Sequence, residues 1–387
     1  MNPKQAGKKR IWIHALSVGE VKSALPFITA FKKKYRDMDI VFTASTRTGF
    51  DMADRLFLKK KVVDQLGYFP LDLGYTVKKI CRQIAPDAVV LVETDVWPNF
   101  LYEMNNRQIP VILINARLSN RSLNGYLIFR KFWARVFSFF TRIMVQTPLD
   151  EERFQRLDID KRKIRVAGNI KFDQPFENID KPIADGMRHR LGIQKKTRVI
   201  IAGSTHEGEE KMLCRVYKAV KKQFPGVLMI LAPRDPKRCS TLQAYFLSHH
   251  VQAGLMSTLD AGKNPPDIVL VDKMGELCRL YAICDVAFIG GSLVRQGGHN
   301  PLEAAAFSKP ILFGPDMSDF LLISTLLRDN GGAKIVASES ELGHEIEKIL
   351  GNTPLQQQMG IQNFQVFSWN SGAVQRIIKE MEHLNIV

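Results

Sequence analysis

The sequence predicts an α/β protein made of two doubly wound parallel-sheet domains facing a cleft, and three observations carry that prediction. Short, fully apolar runs rich in β-branched residues recur along the whole 387-residue chain. Runs of this length without polar alternation suit strands covered on both faces, as in a parallel sheet. Segments of helix length separate the runs, so the repeating unit is βαβ. One polar stretch, from Lys171 to Lys196 with Pro175 and Pro182, breaks the alternation.

In chain order, the first half supplies IWIHA (11–15), IVFTA (40–44), AVVLVE (88–93), VILINA (111–116), IMVQ (143–146) and IRVAGN (164–169). The second half supplies VIIAGS (199–204), VLMILAP (227–233), DIVLVD (267–272), VAFIGGS (286–292), PILFGP (310–315) and AKIV (333–336). EVKSALPFITAFKKKYR is typical of the amphipathic segments between them. The expected division is a first domain over 1–173, a linker over 174–196 and a second domain over 197–387. The last helix is free to pack back on the first domain.

Composition narrows the function classes. With 45% hydrophobic and 24% charged residues and no low-complexity tract, the chain is neither disordered nor fibrous. No apolar run approaches the ~20 residues that span a bilayer, and the apolar run near the N-terminus is too short for a signal-peptide core. Cys81, Cys214, Cys239, Cys278 and Cys284 form no CxxC pair or metal-spaced cluster, which reads as reduced thiols in a cytosolic protein.

The net charge of +16 is unevenly placed: residues 1–173 hold 31 Lys and Arg against 17 Asp and Glu, and the remainder is almost balanced. Such asymmetry points to an anionic partner for the first half. From Met104 to Leu149 there is no acidic residue, while Arg107, Arg117, Arg121, Arg130, Lys131, Arg135 and Arg142 alternate with aromatic residues. Nucleic acid and an anionic membrane surface both fit that pattern, as does a basic helix whose apolar face is simply core. At helical spacing Leu123, Leu127, Phe132, Val136 and Phe140 should face inwards, leaving Phe129, Trp133 and Phe137 outside among the cations.

Ligands of doubly wound sheets bind at the carboxyl ends of strands, and the loops there are chemically loaded. In the second half these are Thr205-His206-Glu207-Gly208-Glu209, Arg234-Asp235, Lys273 to Leu277, and GGSLVRQGGHNPLEAAA (290–306). Glycine-bearing turns that open helices aim backbone N–H groups at an anion such as phosphate. Glu303 is placed to accept hydrogen bonds from ribose hydroxyls. The absence of a GxxxxGK[ST] loop disfavours an ATPase or kinase, and no HExxH or Ser-His-Asp signature is present. In the first half the loops carry Ser17 to Glu20, Glu93 to Asn99, Asn115 to Ser119 and Asn169 to Asp173. Glu20 reads equally as a dipole-complementing residue of a first helical turn. Glu93, ending an apolar strand, is either paired or functional, since a lone buried carboxylate is costly. His14, inside a strand, reads as a core histidine, whereas His206 and His299 in loops are better candidates for ligand contact.

Eight ordered motifs, IWIHALSVGE, VETDVWPN, INARLS, GNIKFD, GSTHEGEE, DKMGEL, GGSLVRQGGHNPLEAAA and FGP, resemble those of the 3-deoxy-D-manno-octulosonic acid (Kdo) transferases of lipopolysaccharide synthesis. The resemblance spans residues 11 to about 315. It implies a GT-B fold of two Rossmann-like domains, the first for the acceptor and the second for the sugar nucleotide. It also implies transfer of Kdo from CMP-Kdo to a lipid A precursor with inversion and without metal or other cofactor.

By the same resemblance Glu20 would be the general base, and Glu93 and Lys171 would stabilise the transition state. Pro233, Arg234, Met274, Gly275, Glu276, Asn300, Pro301, Leu302 and Glu303 would hold CMP. Two departures stand out: Asp235 replaces the usual histidine of a PRHP motif, and only ten residues precede the first strand where the family has an apolar anchor. Either the start of the sequence omits that anchor or this member docks peripherally; the expected setting is the cytoplasmic face of the inner membrane, with CMP-Kdo, an anionic lipid A precursor and the membrane surface as partners and no nucleic acid. The alternatives are a GT-B transferase using another nucleotide sugar and, from a different class, a nucleic-acid-binding protein using the basic half. The latter lacks any helix-turn-helix, RRM or KH signature.

Overall fold

The computed structural model describes residues 3–5, 7–174, 179–259 and 265–387. The chain divides into two compact units, one formed by Met1–Pro175 with Asn370–Val387 and the other by Phe176–Trp369.

The first unit contains strands β1 (Arg10–Ala15), β2 (Asp39–Ala44), β3 (Gln65–Tyr68), β4 (Ala88–Val92), β5 (Val111–Ala116), β6 (Arg142–Val145) and β7 (Ile164–Val166). The second contains β8 (Val199–Thr205), β9 (Leu228–Pro233), β10 (Ala253–Leu255), β11 (Ile268–Leu270), β12 (Val286–Ile289), β13 (Ile311–Phe313) and β14 (Ala333–Ile335). Each set forms one parallel sheet, in the orders β3-β2-β1-β4-β5-β6-β7 and β10-β11-β9-β8-β12-β13-β14. All twelve apolar runs are strands. The two strands without such a run, β3 and β10, are both edge strands. QLGY and AGL are only partly buried there, so burial on both faces never imposed an apolar signature on them.

Alternation along each strand divides the first unit's core. Ile11, Ile13 and Ala15 join one cluster with Phe27 and Phe31 of helix Val18–Lys34 and Ile377 of helix Ala373–His383. Trp12, between them in sequence, joins the opposite cluster with Phe69, Phe100 and Phe137. At an order of 2 kcal/mol per fully buried large apolar side chain, these two layers dominate the unit's stability.

The expected linker over 174–196 carries a ten-residue helix, Lys181–Arg190, capped by Asp180. That helix belongs to the second unit, where Arg188 donates to Ile283 O at 3.1 Å. Residues 175–178 of the same stretch, including Pro175, lie outside the described residues. The chain's last 18 residues, from Asn370, belong to the first unit. Asp173 accepts from Gly372 N and Val374 N there, holding the start of helix Ala373–His383. Among the described residues no helix is long and apolar enough to cross a membrane.

Candidate active site

In each sheet the chain crosses to the other side of the first strand, a reversal that places β4 beside β1 and β12 beside β8. Such reversals open a crevice at the carboxyl ends of the strands. Each unit carries its own loaded loops at the ends of its strands.

At the β1/β4 reversal, Ser17 caps helix Val18–Lys34 and accepts from Glu20 N. The Glu20 carboxylate turns back to accept Leu16 N at 2.5 Å. This is a variant of the capping box, a structural role in the first turn beyond the dipole complementation expected of Glu20. Burial, reinforced by the charges of Glu93 and Asp95, also pushes the Glu20 pKa up to about 7. Glu93 sits just past β4 with a left-handed φ of +62°. Its side chain forms no hydrogen bond or ion pair with a described residue. Asp95 is held by His14, whose Nε2 lies 3.2 Å from Asp95 Oδ2 while Nδ1 faces Thr43. His14 is fully buried and stacked on Phe69, the satisfied core histidine expected.

The GNIKFD turn is placed by a side-chain relay. Asn115, with φ +55° at the end of β5, accepts Ile170 N through Oδ1. Gln146 Nε2 donates to Asn115 O, and Asn169 Nδ2 donates to Gln146 Oε1. Asn169 Oδ1 in turn accepts Lys171 N. The turn Ile170–Asp173 packs on helix Val18–Lys34, which carries Glu20 in its first turn, and Lys171 shares this region of the unit. Left-handed φ at non-glycine residues costs of order 1 kcal/mol or more and gathers at functional sites. Glu93 and Asn115 show it at neighbouring strand ends.

In the second unit Arg234 follows β9, and its N–H donates to Thr205 O at the end of β8. Glu303 lies where burial pushes its pKa to about 7 against the pull of the Arg234 charge, so those two predicted residues are close. Pro233 is buried at the strand end, whereas Met274 is largely exposed beside Gly275, whose φ is +90°. Asn300 Oδ1 accepts Leu302 N, fixing the turn through Pro301 that presents Glu303. Asp235, where the resemblance would expect a histidine, caps the short turn Pro236–Arg238 by accepting Lys237 N.

Two expectations about phosphate-binding turns need correction. The GGS turn does not offer free N–H groups. The fully buried Glu209 carboxylate accepts Gly291 N at 2.8 Å and Ser292 N and Leu293 N at 3.1 Å, together with His206 N at 2.9 Å. The desolvation cost still raises the Glu209 pKa against these four bonds. Glu210 is also structural, receiving Arg238 through both guanidinium nitrogens. The helix after Glu276 spans only Leu277–Leu280 before a 3-10 turn, too short to supply a substantial dipole. The sequence carried no sign of the Glu209 brace, because three of its four donors lie more than 80 residues away.

The basic aromatic stretch also differs from expectation. It forms two helices, Asn120–Ile128 and Arg130–Phe137, broken at Phe129. The break resets the helical phase. Phe137, expected outside, is fully buried; Phe132, expected inside, is 54% exposed; and Trp133 is half-buried. Ile128 and Phe129 are 74% and 67% exposed beside Arg130, Lys131 and Arg135.

Comparison with solved structures defines the class first. MurG from Acinetobacter baumannii superposes with a TM-score of 0.61 at 15% identity over 97% of this chain and 99% of that one. A UDP-GlcNAc 2-epimerase from Neisseria meningitidis superposes at 0.62 and 14% identity over 97% and 100%. At such identity the likeness concerns the fold, two Rossmann-like domains of the GT-B class. Sequence comparison supplies the family. Residues 1–174 match the 3-deoxy-D-manno-octulosonic-acid transferase (kdotransferase) family model. The Haemophilus influenzae 3-deoxy-D-manno-octulosonic acid transferase is 32% identical over 95% of this chain and 85% of its own length. The Rickettsia felis enzyme of that name is 34% identical over 80% and 64%. A Fusobacterium nucleatum bifunctional glycosyltransferase/methyltransferase is 33% identical over 79% of this chain and 47% of that protein. The chain belongs to the Kdo transferase family of lipopolysaccharide-synthesising glycosyltransferases.

Proposed function

We propose that this chain transfers Kdo from CMP-Kdo to an anionic lipid A precursor by a single inverting displacement. The observation that carries the reading is the Glu20 carboxylate at the β1/β4 reversal, raised to about 7 beside two further carboxylates. A base poised near neutral pH accepts the proton of an acceptor hydroxyl as its oxygen attacks the anomeric carbon. The bond from that carbon to the phosphate breaks, and CMP departs with the electron pair. Arg234 stabilises the charge gained by the phosphate. Glu93 and Lys171 stabilise the transition state. Pro233, Met274, Gly275 and Glu276, with Asn300, Pro301, Leu302 and Glu303, hold the nucleotide, and the Glu303 carboxylate accepts from the ribose.

The basic first half suits a phosphorylated lipid, and the exposed Ile128, Phe129 and Phe132 among Arg and Lys suit the headgroup layer of an anionic bilayer. On this reading the protein works peripherally at the cytoplasmic face of the inner membrane. Incubation of a lipid A precursor with CMP-Kdo and the protein tests the reading by mass spectrometry. A mass increase of one or more Kdo residues is expected, and an unmodified lipid under conditions where the protein binds CMP would overturn it. Calorimetry with CMP, UDP and GDP sugars separates it from a GT-B transferase with another donor.

A further inference from the structure

The strongest unassigned feature is a pair of imidazoles in the second unit. His206 follows β8, and His299 lies in the loop after β12, so the pair stands at the strand reversal where such sheets take their ligands. Their Nε2 atoms are 2.8 Å apart. The rings are parallel within 7° and their centroids are 5.1 Å apart, a separation that matches the N···N distance plus the two ring radii. The rings therefore meet edge to edge in nearly one plane, which is the geometry of an N–H···N hydrogen bond and not of a face stack.

That geometry fixes the proton count. Only one proton fits between the two Nε2 atoms, so the pair carries at most one positive charge. When His299 donates, or when the pair is protonated, His206 must bear its other proton on Nδ1. His206 Nδ1 makes no hydrogen bond with a described residue.

The fold holds this arrangement in place. Glu209 ties His206 N to the N–H groups of Gly291, Ser292 and Leu293. Gly291 has φ +71°, and a Cβ there would come within 3.2–3.3 Å of both rings. A buried carboxylate and a left-handed glycine thus keep the two loops, and with them the two rings, in register.

We propose that His206 binds an anionic oxygen of the sugar nucleotide through Nδ1–H, and that His299 is a positioning residue that fixes that proton. The inference rests on the transferase reading of this unit and adds an anion ligand to it. The oxygen belongs either to the nucleotide phosphate or to the carboxylate of the transferred sugar acid.

Calorimetry with CMP and steady-state kinetics with CMP-Kdo distinguish these on the full chain. His206→Leu and His299→Leu should each weaken one ligand by ~10-fold or more, the worth of a hydrogen bond to a charged group. His299→Gln, which restores an N–H at the same reach, should recover most of the loss seen in His299→Leu. Loss with CMP assigns the phosphate; unchanged CMP affinity with a raised KM for CMP-Kdo assigns the carboxylate. Wild-type behaviour of both leucine variants with both ligands overturns the proposal, whereas a wild-type protein that binds neither ligand overturns the transferase reading beneath it. If the variants do not fold, ¹⁵N imidazole spectra of the wild type decide: saturating CMP or CMP-Kdo should move the His206 Nδ1 signal, and static histidine signals overturn the assignment.

Discussion

The Glu20 carboxylate accepts the backbone N–H of Leu16 at 2.5 Å while Glu93 and Asp95 oppose its charge. The same side chain therefore caps a helix and is held close to its neutral form, which gives it a structural and a chemical signature that can be measured separately.

Glu20→Gln keeps the shape and the acceptor for Leu16 but removes the basicity. Transfer should fall by ~10²-fold or more, with CMP affinity unchanged. In the wild type kcat/KM should rise with pH through an apparent midpoint near 7, set jointly with Glu93 and Asp95. If Glu20→Gln stays active while Glu93→Gln is inactive, the base is Glu93.

The same residue gives a stability prediction. Its ordinary pKa of 4.5 is raised to about 7 in the fold, so the folded state binds the proton more tightly. Stability contributed by the neutral form is complete below pH 4.5 and is lost as pH rises through 7. At pH 8 Glu20→Gln should therefore be more stable than wild type, by about 1–3 kcal/mol, and the gain should vanish near pH 4. Urea melts at the two pH values check this; equal differences at both would show that burial does not penalise the charge.

Glu209→Ala removes the acceptor of four backbone N–H groups in a buried place. A loss of about 2–4 kcal/mol is expected, accompanied by weaker CMP binding as the His206 and His299 loops separate. A variant as stable as wild type would mean the loops have another support.

Arg234→Ala or Glu303→Ala should weaken CMP binding by ~1.5–3 kcal/mol. Calorimetry checks this directly. Unchanged affinity in both variants would remove these residues from the nucleotide site.

The exposed apolar corner predicts binding to vesicles containing acidic lipid that weakens with salt. Replacing Ile128, Phe129 and Phe132 by Ser should release the protein, and replacing Lys131 and Arg135 by Ser should weaken binding further at low salt than at high salt. Arg130 should matter less, because Asp158 already pairs with it. Vesicle binding that survives both sets of changes would place the contact elsewhere.

The sequence by itself determined the twelve strands with apolar runs, the two parallel sheets and the loops that carry the chemistry, because burial on both faces and glycine-rich strand ends leave local marks. It did not mark β3 or β10, whose edge positions ask for no continuous apolar run. Tertiary structure alone decided the rest. A single break at Phe129 exchanged the environments of Phe132 and Phe137, since helical phase is lost at a kink. Glu209, which looked like one acidic residue of a loop, became the anchor of a turn 82 residues away. Glu20 was legible as an acidic residue of a first helical turn, but its capping bond to Leu16 N was not, and its raised pKa depends on burial and on two carboxylates brought in from the end of β4. Distances of that kind are set by chain reversal across a sheet, which no local pattern encodes.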